Sequence, residues 1–262
     1  MSRSGYYDWL KRKPSNRDIE DQQLIERIKA IYRESRETYG SPRVHKALFR
    51  EGKRVGKKRV ERLMQIHGIQ GRVVKVTRKN PRLKQSLSHG KNLRLYHSQA
   101  TGMNQQWVAD LTYLKVKSRW YYLAVVMDVY SRRIIGWSLD KTRTTALTLS
   151  ALRYALKRRS CGKGLIFHTD RGIEYSTHRF RDELKRRGID ASYNRAGICT
   201  DNAHMESFFH SMKAELIRGR TFYNEHDLRY SLSSYINQFY NHKRLHSGIG
   251  YCPPAEYEQR AC

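Results

Sequence analysis

Apolar positions recur at two different periods along this chain, and the change of period divides it. Between residues 18 and 35 they return every three or four positions (Leu24, Ile25, Ile28, Ile31, Tyr32), which predicts an amphipathic helix. Ser41-Pro42 reads as a cap with proline at the first helical position, opening a short helix (Val44, Ala47, Leu48) that stops at Gly52. After a turn at Val55-Gly56, a third helix is expected from Lys57 to His67, with Val60, Leu63, Met64 and Ile66 apolar and Gly68 as its stop. Past residue 104 the period shortens. Three strand-like runs, 107–116, 120–129 and 132–139, are separated by Ser118-Arg119 and Tyr130-Ser131, the pattern of an antiparallel meander. There follow a helix (144–159), a buried strand (165–170), a basic helix (177–187), a strand (189–194) and a helix (201–218). A last amphipathic helix is expected over 225–244, and Tyr251-Cys-Pro-Pro254 is expected to be non-helical and to dock the C-terminus.

Charge adds a partner to this picture. The 262 residues carry 52 Lys and Arg against 24 Asp and Glu, a formal net charge of +28. Such a surplus repels itself in a compact state and calls for a polyanion. Nucleic acid fits, because neutralised phosphates release counterions. An anionic membrane fits less well, since no basic amphipathic helix has the apolar face to lie on one. The three short N-terminal helices resemble a helix-turn-helix, with Lys57, Lys58, Arg59 and Arg62 on the polar side of the third as a recognition surface. The plainer alternative is a small bundle with a solvated basic face. From Arg62 to Ala109 there is no acidic residue, and the stretch holds Arg72, Lys75, Arg78, Lys79, Arg82, Lys84, Lys91 and Arg94. It reads as an extended connector that tracks phosphates. The expected organisation is a helical DNA-binding region (1–68), a basic linker (69–104) and an α/β region (105–262). Cysteines at 161, 199, 252 and 262 form no Cys-x-x-Cys pair, which argues against a zinc site, and free thiols suit a reducing cytoplasm. No signal peptide or membrane span is expected.

Three carboxylates carry the candidate chemistry. Asp110 interrupts the first strand, whose one side reads Val108, Asp110, Thr112, Leu114, Val116, and Asp170 closes the run Leu165-Ile-Phe-His-Thr. Either alone could be structural: an acid paired with an arginine, or a turn residue before Gly172. Glu206 rides a helix at the edge of the apolar stripe Met205, Phe208, Phe209, Met212, Leu216, with Asp201 or Thr200 expected as the cap. An acid in an apolar strand is unfavourable unless something positive compensates it. Three acids brought together would repel one another unless a divalent cation neutralised them, as a phosphoryl-transfer site requires.

Fifty-nine residues lie between Asp110 and Asp170, and thirty-five between Asp170 and Glu206. With Trp107…Asp110-Leu-Thr-Tyr113, His168-Thr-Asp-Arg-Gly-Ile-Glu-Tyr175, Asp201-Asn-Ala…Glu206-Ser-Phe-Phe…Lys213-Ala-Glu215 and Tyr240-Asn…Arg244…His246…Gly250-Tyr-Cys-Pro-Pro254, the chain resembles the DDE insertion-sequence transposases. It is similar to the catalytic frame of those made from two overlapping reading frames, with a retroviral-integrase-like core. The order βββαβαβα is that of the ribonuclease-H-like fold, a mixed five-stranded sheet flanked by helices, which the resemblance also implies. It implies metal-dependent DNA cleavage and strand transfer at element ends. Two Mg²⁺ ions, replaceable by Mn²⁺, are expected, with Asp110 bridging both and Asp170 and Glu206 each holding one. Lys213 matches the family's Lys seven residues past the catalytic Glu, so it is expected to grip DNA, with His210 a weaker candidate. His168 has two readings, a group orienting a ligand or a satisfied core histidine. The expected partners are double-stranded DNA, further copies of the chain on DNA, and the product of an upstream frame. The expected location is the cytoplasm, on the nucleoid. The rivals are a nuclease that only hydrolyses and a non-catalytic DNA-binding regulator.

Overall fold

The computed structural model describes residues 3, 4, 7, 13–72, 90–96, 99–196 and 198–260, with backbone alone for Cys199 and Thr200. The chain forms two compact units, residues 1–73 and 74–262. In the first, α1 (Asn16–Glu34), α2 (Ser41–Arg50) and α3 (Lys57–Ile66) bury Leu24, Ile25, Ile28 and Ile31 against Val44, Leu48, Val60, Leu63 and Met64. Ser15 and Asp18 close a capping box at the start of α1. The cap of α2 differs from expectation: Gly40 takes that position with no side-chain bond, and Ser41 is already helical.

In the second unit, β1 (Gln106–Val116), β2 (Arg119–Asp128) and β3 (Ile134–Asp140) form the expected meander. After α4 (Thr145–Arg158) come β4 (Ile166–Thr169), the short α5 (Ile173–Ser176), α6 (His178–Arg186) and β5 (Asp190–Tyr193). The sheet order is β3-β2-β1-β4-β5, with β1, β4 and β5 parallel. One face of the sheet packs Trp107, Ala109, Ala124 and Val126 on Leu147, Ala151, Leu152 and Phe180. Gly136 lets α4 approach closely, since a Cβ there would lie 2.3 Å from the Ala151 carbonyl oxygen.

The helix expected over 201–218 breaks into a 3-10 turn (Cys199–Asn202), α7 (Ala203–Met212) and a π turn (Lys213–Ile217). α8 (Glu225–Ser233) likewise runs into a π turn, Ser234–Tyr240. The two π turns meet through one buried network. Tyr235 donates its hydroxyl to Glu215 at 2.7 Å, and Arg244 grips the same carboxylate from Nε (2.8 Å) and Nη2 (2.6 Å). Asn241 then pairs with Ile134 on the edge strand β3 through both its side-chain atoms, at 3.0 and 2.9 Å. That contact caps strand groups an open edge would leave unmade. Pro254, expected to be non-helical, instead opens α9 (Pro254–Gln259), as a proline can at a first helical position. Glu258 anchors α9 by accepting from Ser131 Oγ (2.7 Å), Arg133 (2.5 Å) and Arg159 (2.5 Å).

Part of the expected linker is not extended. Asn92 and Arg94 fasten a 3-10 turn (Leu93–Leu95), and the Lys91 carbonyl accepts from Tyr193 N–H at 3.1 Å. Arg94 donates to the Asp201 carbonyl (2.9 Å) and Gln106 (3.2 Å), so it is tied into the core. Lys75, Arg78, Lys79, Arg82 and Lys84, counted in that linker, lie outside the described residues. Among the described residues no helix is long and apolar enough to cross a membrane.

Candidate active site

The first two acids are brought together by strand register. β1 and β4 run parallel with Trp107 beside Phe167 and Val108 beside His168. Continued two residues past the end of the pairing, that register leads to Asp110 and Asp170, and the Asp170 charge acts on the Asp110 carboxyl. β4 is buried throughout, so it can carry an acid only at its carboxyl end, where open α/β sheets place their ligands. Asp110 accepts from the Leu111 N–H at 2.7 Å, and Asp170 from the Gly172 N–H at 2.9 Å. Gly172 leaves room for the two acids that flank it. A Cβ there would lie 2.8 Å from both Asp170 Oδ1 and Glu174 Oε2.

The third acid arrives on a helix pinned to the first strand. Asn202, buried at the start of α7, donates from Nδ2 to the Ala109 carbonyl at 3.0 Å. Glu206 lies one turn further along, exposed. Neither Asp110 nor Glu206 has an ion-pair partner among the described residues. The Asp110 carboxyl is pushed up to about 7, first by burial, then by the charges of Asp170 and Glu206. The residue as a whole is half-covered, so the crowding is local to the carboxyl. This mutual repulsion is what a cation would relieve, and carboxylate oxygens are the donors a hard divalent ion takes. The three side chains are not closed into a cage: among the described residues no three His, Cys, Asp or Glu groups stand ready to hold one ion. Glu206 is the group free to close it, being exposed on a flexible stem.

Three neighbours were not anticipated. Arg143, in the turn before α4, is ion-paired with the buried Glu174, its Nη2 3.1 Å from Oε2. The Tyr175 hydroxyl is buried without a hydrogen-bond partner, and its pKa is raised by burial first and then by Asp110 and Asp170. Glu174 and Tyr175 could have been flagged as an acid and an aromatic straight after the Asp-Arg-Gly turn. Nothing local marks Arg143.

The remaining candidates are sorted by their contacts. His168 is a satisfied core histidine: Nε2 lies 2.7 Å from Asn194 Oδ1 and Nδ1 2.8 Å from Ser192 Oγ. Burial pushes its pKa down to about 4, so the ring is neutral. Asp201, expected as a helix cap, instead binds Asn92 (2.9 Å) and Arg195 (2.9 Å), and Asn202 takes the cap position. Lys213 stands 5.1 Å from the Tyr113 ring centre, and Tyr113 meets Trp120 edge-on at 5.3 Å, an aromatic-cation strip on the exposed end of β1. The Nε2 of His210 is buried without a hydrogen-bond partner among the described residues. In the first unit Arg59 binds Asp21 (2.6 Å) and Glu20 (3.0 Å), and Arg62 also binds Asp21. Lys57 and Lys58 are exposed.

Comparison with known proteins agrees with this geometry. Residues 100–199 and 187–254 match two Integrase core domain families, and residues 19–77 match an HTH-like domain. Transposase InsF for insertion sequence IS3A of Escherichia coli (strain K12) is 35% identical over 262 residues, covering 99% of this chain and 91% of that protein. The transposase for insertion sequence element IS904 of Lactococcus lactis subsp. lactis (strain IL1403) is 34% identical, covering 95% and 99%. A chain of the simian T-cell lymphotropic virus intasome in complex with PP2A regulatory subunit B56 gamma has the same fold. Its TM-score is 0.53 at 17% identity, covering 84% of this chain and 74% of that one. The resemblance read from the motifs, and the ribonuclease-H-like fold it implied, are borne out.

Proposed function

Because this chain belongs to the insertion-sequence transposases with an integrase core, we propose that Asp110, Asp170 and Glu206 are its catalytic carboxylates. It is a polynucleotidyl transferase acting in DNA transposition. The observation that supports the assignment is the strand register that leads to Asp110 and Asp170, with the Glu206 helix bonded to the strand of Asp110. An integrase core implies a divalent metal, and the three acids are the groups that would hold it: two Mg²⁺ ions, with Mn²⁺ as a substitute. When bound, such ions neutralise the carboxylates and lower the barrier to attack by a hydroxyl on a phosphodiester. The protein supplies the rest. Asp110 and Asp170 are fixed by strand register, Asn202 holds the third acid's helix in place, and Glu206 closes on the site. Lys213, on the face of Glu206 about two turns away, binds a backbone phosphate near the scissile bond.

The HTH-like and integrase domains make DNA the partner. We assign sequence-independent contacts in the first unit to Lys57 and Lys58, with Arg59 and Arg62 available to phosphate only if they leave Asp21. Residues 1–68 would then bind DNA, 69–104 would connect, and 105–262 would carry the chemistry. Several copies assemble on the element ends, the product of an upstream frame joins them, and the complex sits on the nucleoid. The test uses the full chain, Mg²⁺ and duplexes carrying the element's ends. Cleaved ends joined to a target duplex support the proposal. Hydrolysis without joining would point to the nuclease rival, and no cleavage at all to a regulator.

A further inference from the structure

At the start of β1, four residues before Asp110, lies a cavity of about 440 Å³ whose lining, among the described residues, holds no acidic residue. Arg94 comes from the docked segment, Arg132 from the β2–β3 turn and His204 from the first turn of α7. Tyr130 and Tyr257 close one side, their rings 5.2 Å apart. Arg94 and Arg132 bring two cations to the cavity, and the His204 ring, its pKa pushed down to about 4 first by burial, is neutral beside them. Arg94 is half-covered and donates to two uncharged oxygens, the Asp201 carbonyl and Gln106 Oε1, while the Asp201 carboxylate acts on it electrostatically. No ion pair or hydrogen bond holds Arg132 or His204 among the described residues. Arg132 is held in place by packing: it sits at a left-handed φ of 60° and its guanidinium lies against Gly248, where a Cβ would come within 2.7 Å of Nη2. Arg132, half-covered, pressed on a glycine and beside the half-covered Arg94, has no carboxylate of its own among the described residues, which favours an anion at this place. Arginine forks match the geometry of phosphate oxygens, and aromatic rings beside them suit a sugar or base.

We propose that this cavity is a second phosphate-binding site, taking one backbone phosphate of the DNA at a distance from the scissile bond, with Arg132 as its main ligand and Arg94 and His204 beside it. It deepens the transposase reading, and rests on it for the identity of the phosphate's owner. A contact here would hold the duplex at the start of β1, in addition to its hold at the acids further along the strand. The strand that carries Asp110 would then be positioned by the substrate itself, with register set remotely from the chemistry.

The test compares wild type with Arg132→Gln and Arg132→Lys, as full chains, for binding to a fixed duplex over a salt series. Arg132→Gln should weaken binding about three- to tenfold and flatten the salt slope by about 0.9, the loss of one phosphate contact. Arg132→Lys, keeping the charge, should recover most of the slope. Unchanged slope and affinity in Arg132→Gln would overturn the proposal. So would a change confined to self-association without DNA, which would mark the cavity as a seat for a carboxylate of a second copy. Titration with inorganic phosphate and with a 5′-mononucleotide separates the sources: competition by either, lost in Arg132→Gln, supports the site. Cleavage is read in parallel. If wild type fails to cleave while the Arg132 effect on binding stands, the catalytic assignment falls and the phosphate site does not.

Discussion

Asn202 donates a hydrogen bond from its side chain to the backbone carbonyl of Ala109, at 3.0 Å, and so ties the helix of one candidate acid to the strand of another. Asn202 is 2% exposed and, among the described residues, its own Oδ1 has no partner. Asn202→Ala should cost about 1–3 kcal/mol of stability by leaving the Ala109 carbonyl unpaired. It should lower strand cleavage by more than tenfold, because the helix that carries Glu206 loses its tie to the strand of Asp110. Thermal melting and single-turnover cleavage, run on the same preparation, check both; a stability loss with full cleavage would assign Asn202 to packing only.

Gly172 sits where any side chain would push on the site. Gly172→Ala meets Asp170 Oδ1 and Glu174 Oε2 at 2.8 Å, and both are side-chain ends that can yield. Its φ of −62° imposes no strain on alanine. The expected result is a melting temperature within a few degrees of wild type and a cleavage rate down at least tenfold. The reverse pattern would show that the turn serves folding rather than the Asp170 carboxylate.

Much of this site was legible in the sequence, and the reasons are local. Strand alternation in β1 placed Asp110 on the Thr112-Leu114 side, and the apolar stripe of α7 put Glu206 at its edge. The failures at the candidate site are long-range. Arg59 and Arg62 read as free cations, but Asp21 lies 38 and 41 residues away in sequence and binds them both. Asp201 read as a cap, while Asn92, 109 residues distant, takes its carboxylate. Residues 90–96 read as linker because their anchors, Ser192 and Asp201, cannot be seen from the segment itself.

The buried pair Arg244–Glu215 ties the segment after the second π turn to the first, both side chains being about 95% covered. Arg244→Met should destabilise the second unit by about 3–5 kcal/mol, since it strands a buried carboxylate. Arg244→Met combined with Glu215→Met should recover most of that loss. Denaturant unfolding of the single and double variants measures it, and additive losses would mean the two residues act independently.

Asp201 gives a pH signature. Its carboxyl is held down to about 2, first by the hydrogen bond from Arg195, against an ordinary value of 3.8. A depressed acid adds stability above its unfolded pKa and loses it as pH falls through the folded one. The melting-temperature gap between wild type and Asp201→Asn should therefore be constant from pH 7 to 5 and shrink between about 4 and about 2. A gap that stays constant down to pH 2 would remove the ionised carboxylate from the account.

The central claim is that three carboxylates, and not the basic surface around them, perform the chemistry. The direct measurement is Mg²⁺-dependent cleavage of an element-end duplex by Asp110→Asn, Asp170→Asn and Glu206→Gln, with duplex affinity measured alongside. Each variant should lose cleavage by about a thousandfold or more, equivalent to roughly 4 kcal/mol of transition-state stabilisation. Each should bind the duplex as tightly as wild type or more so, because an anion has left a basic surface. Any one of the three cleaving at the wild-type rate while bound would contradict the assignment.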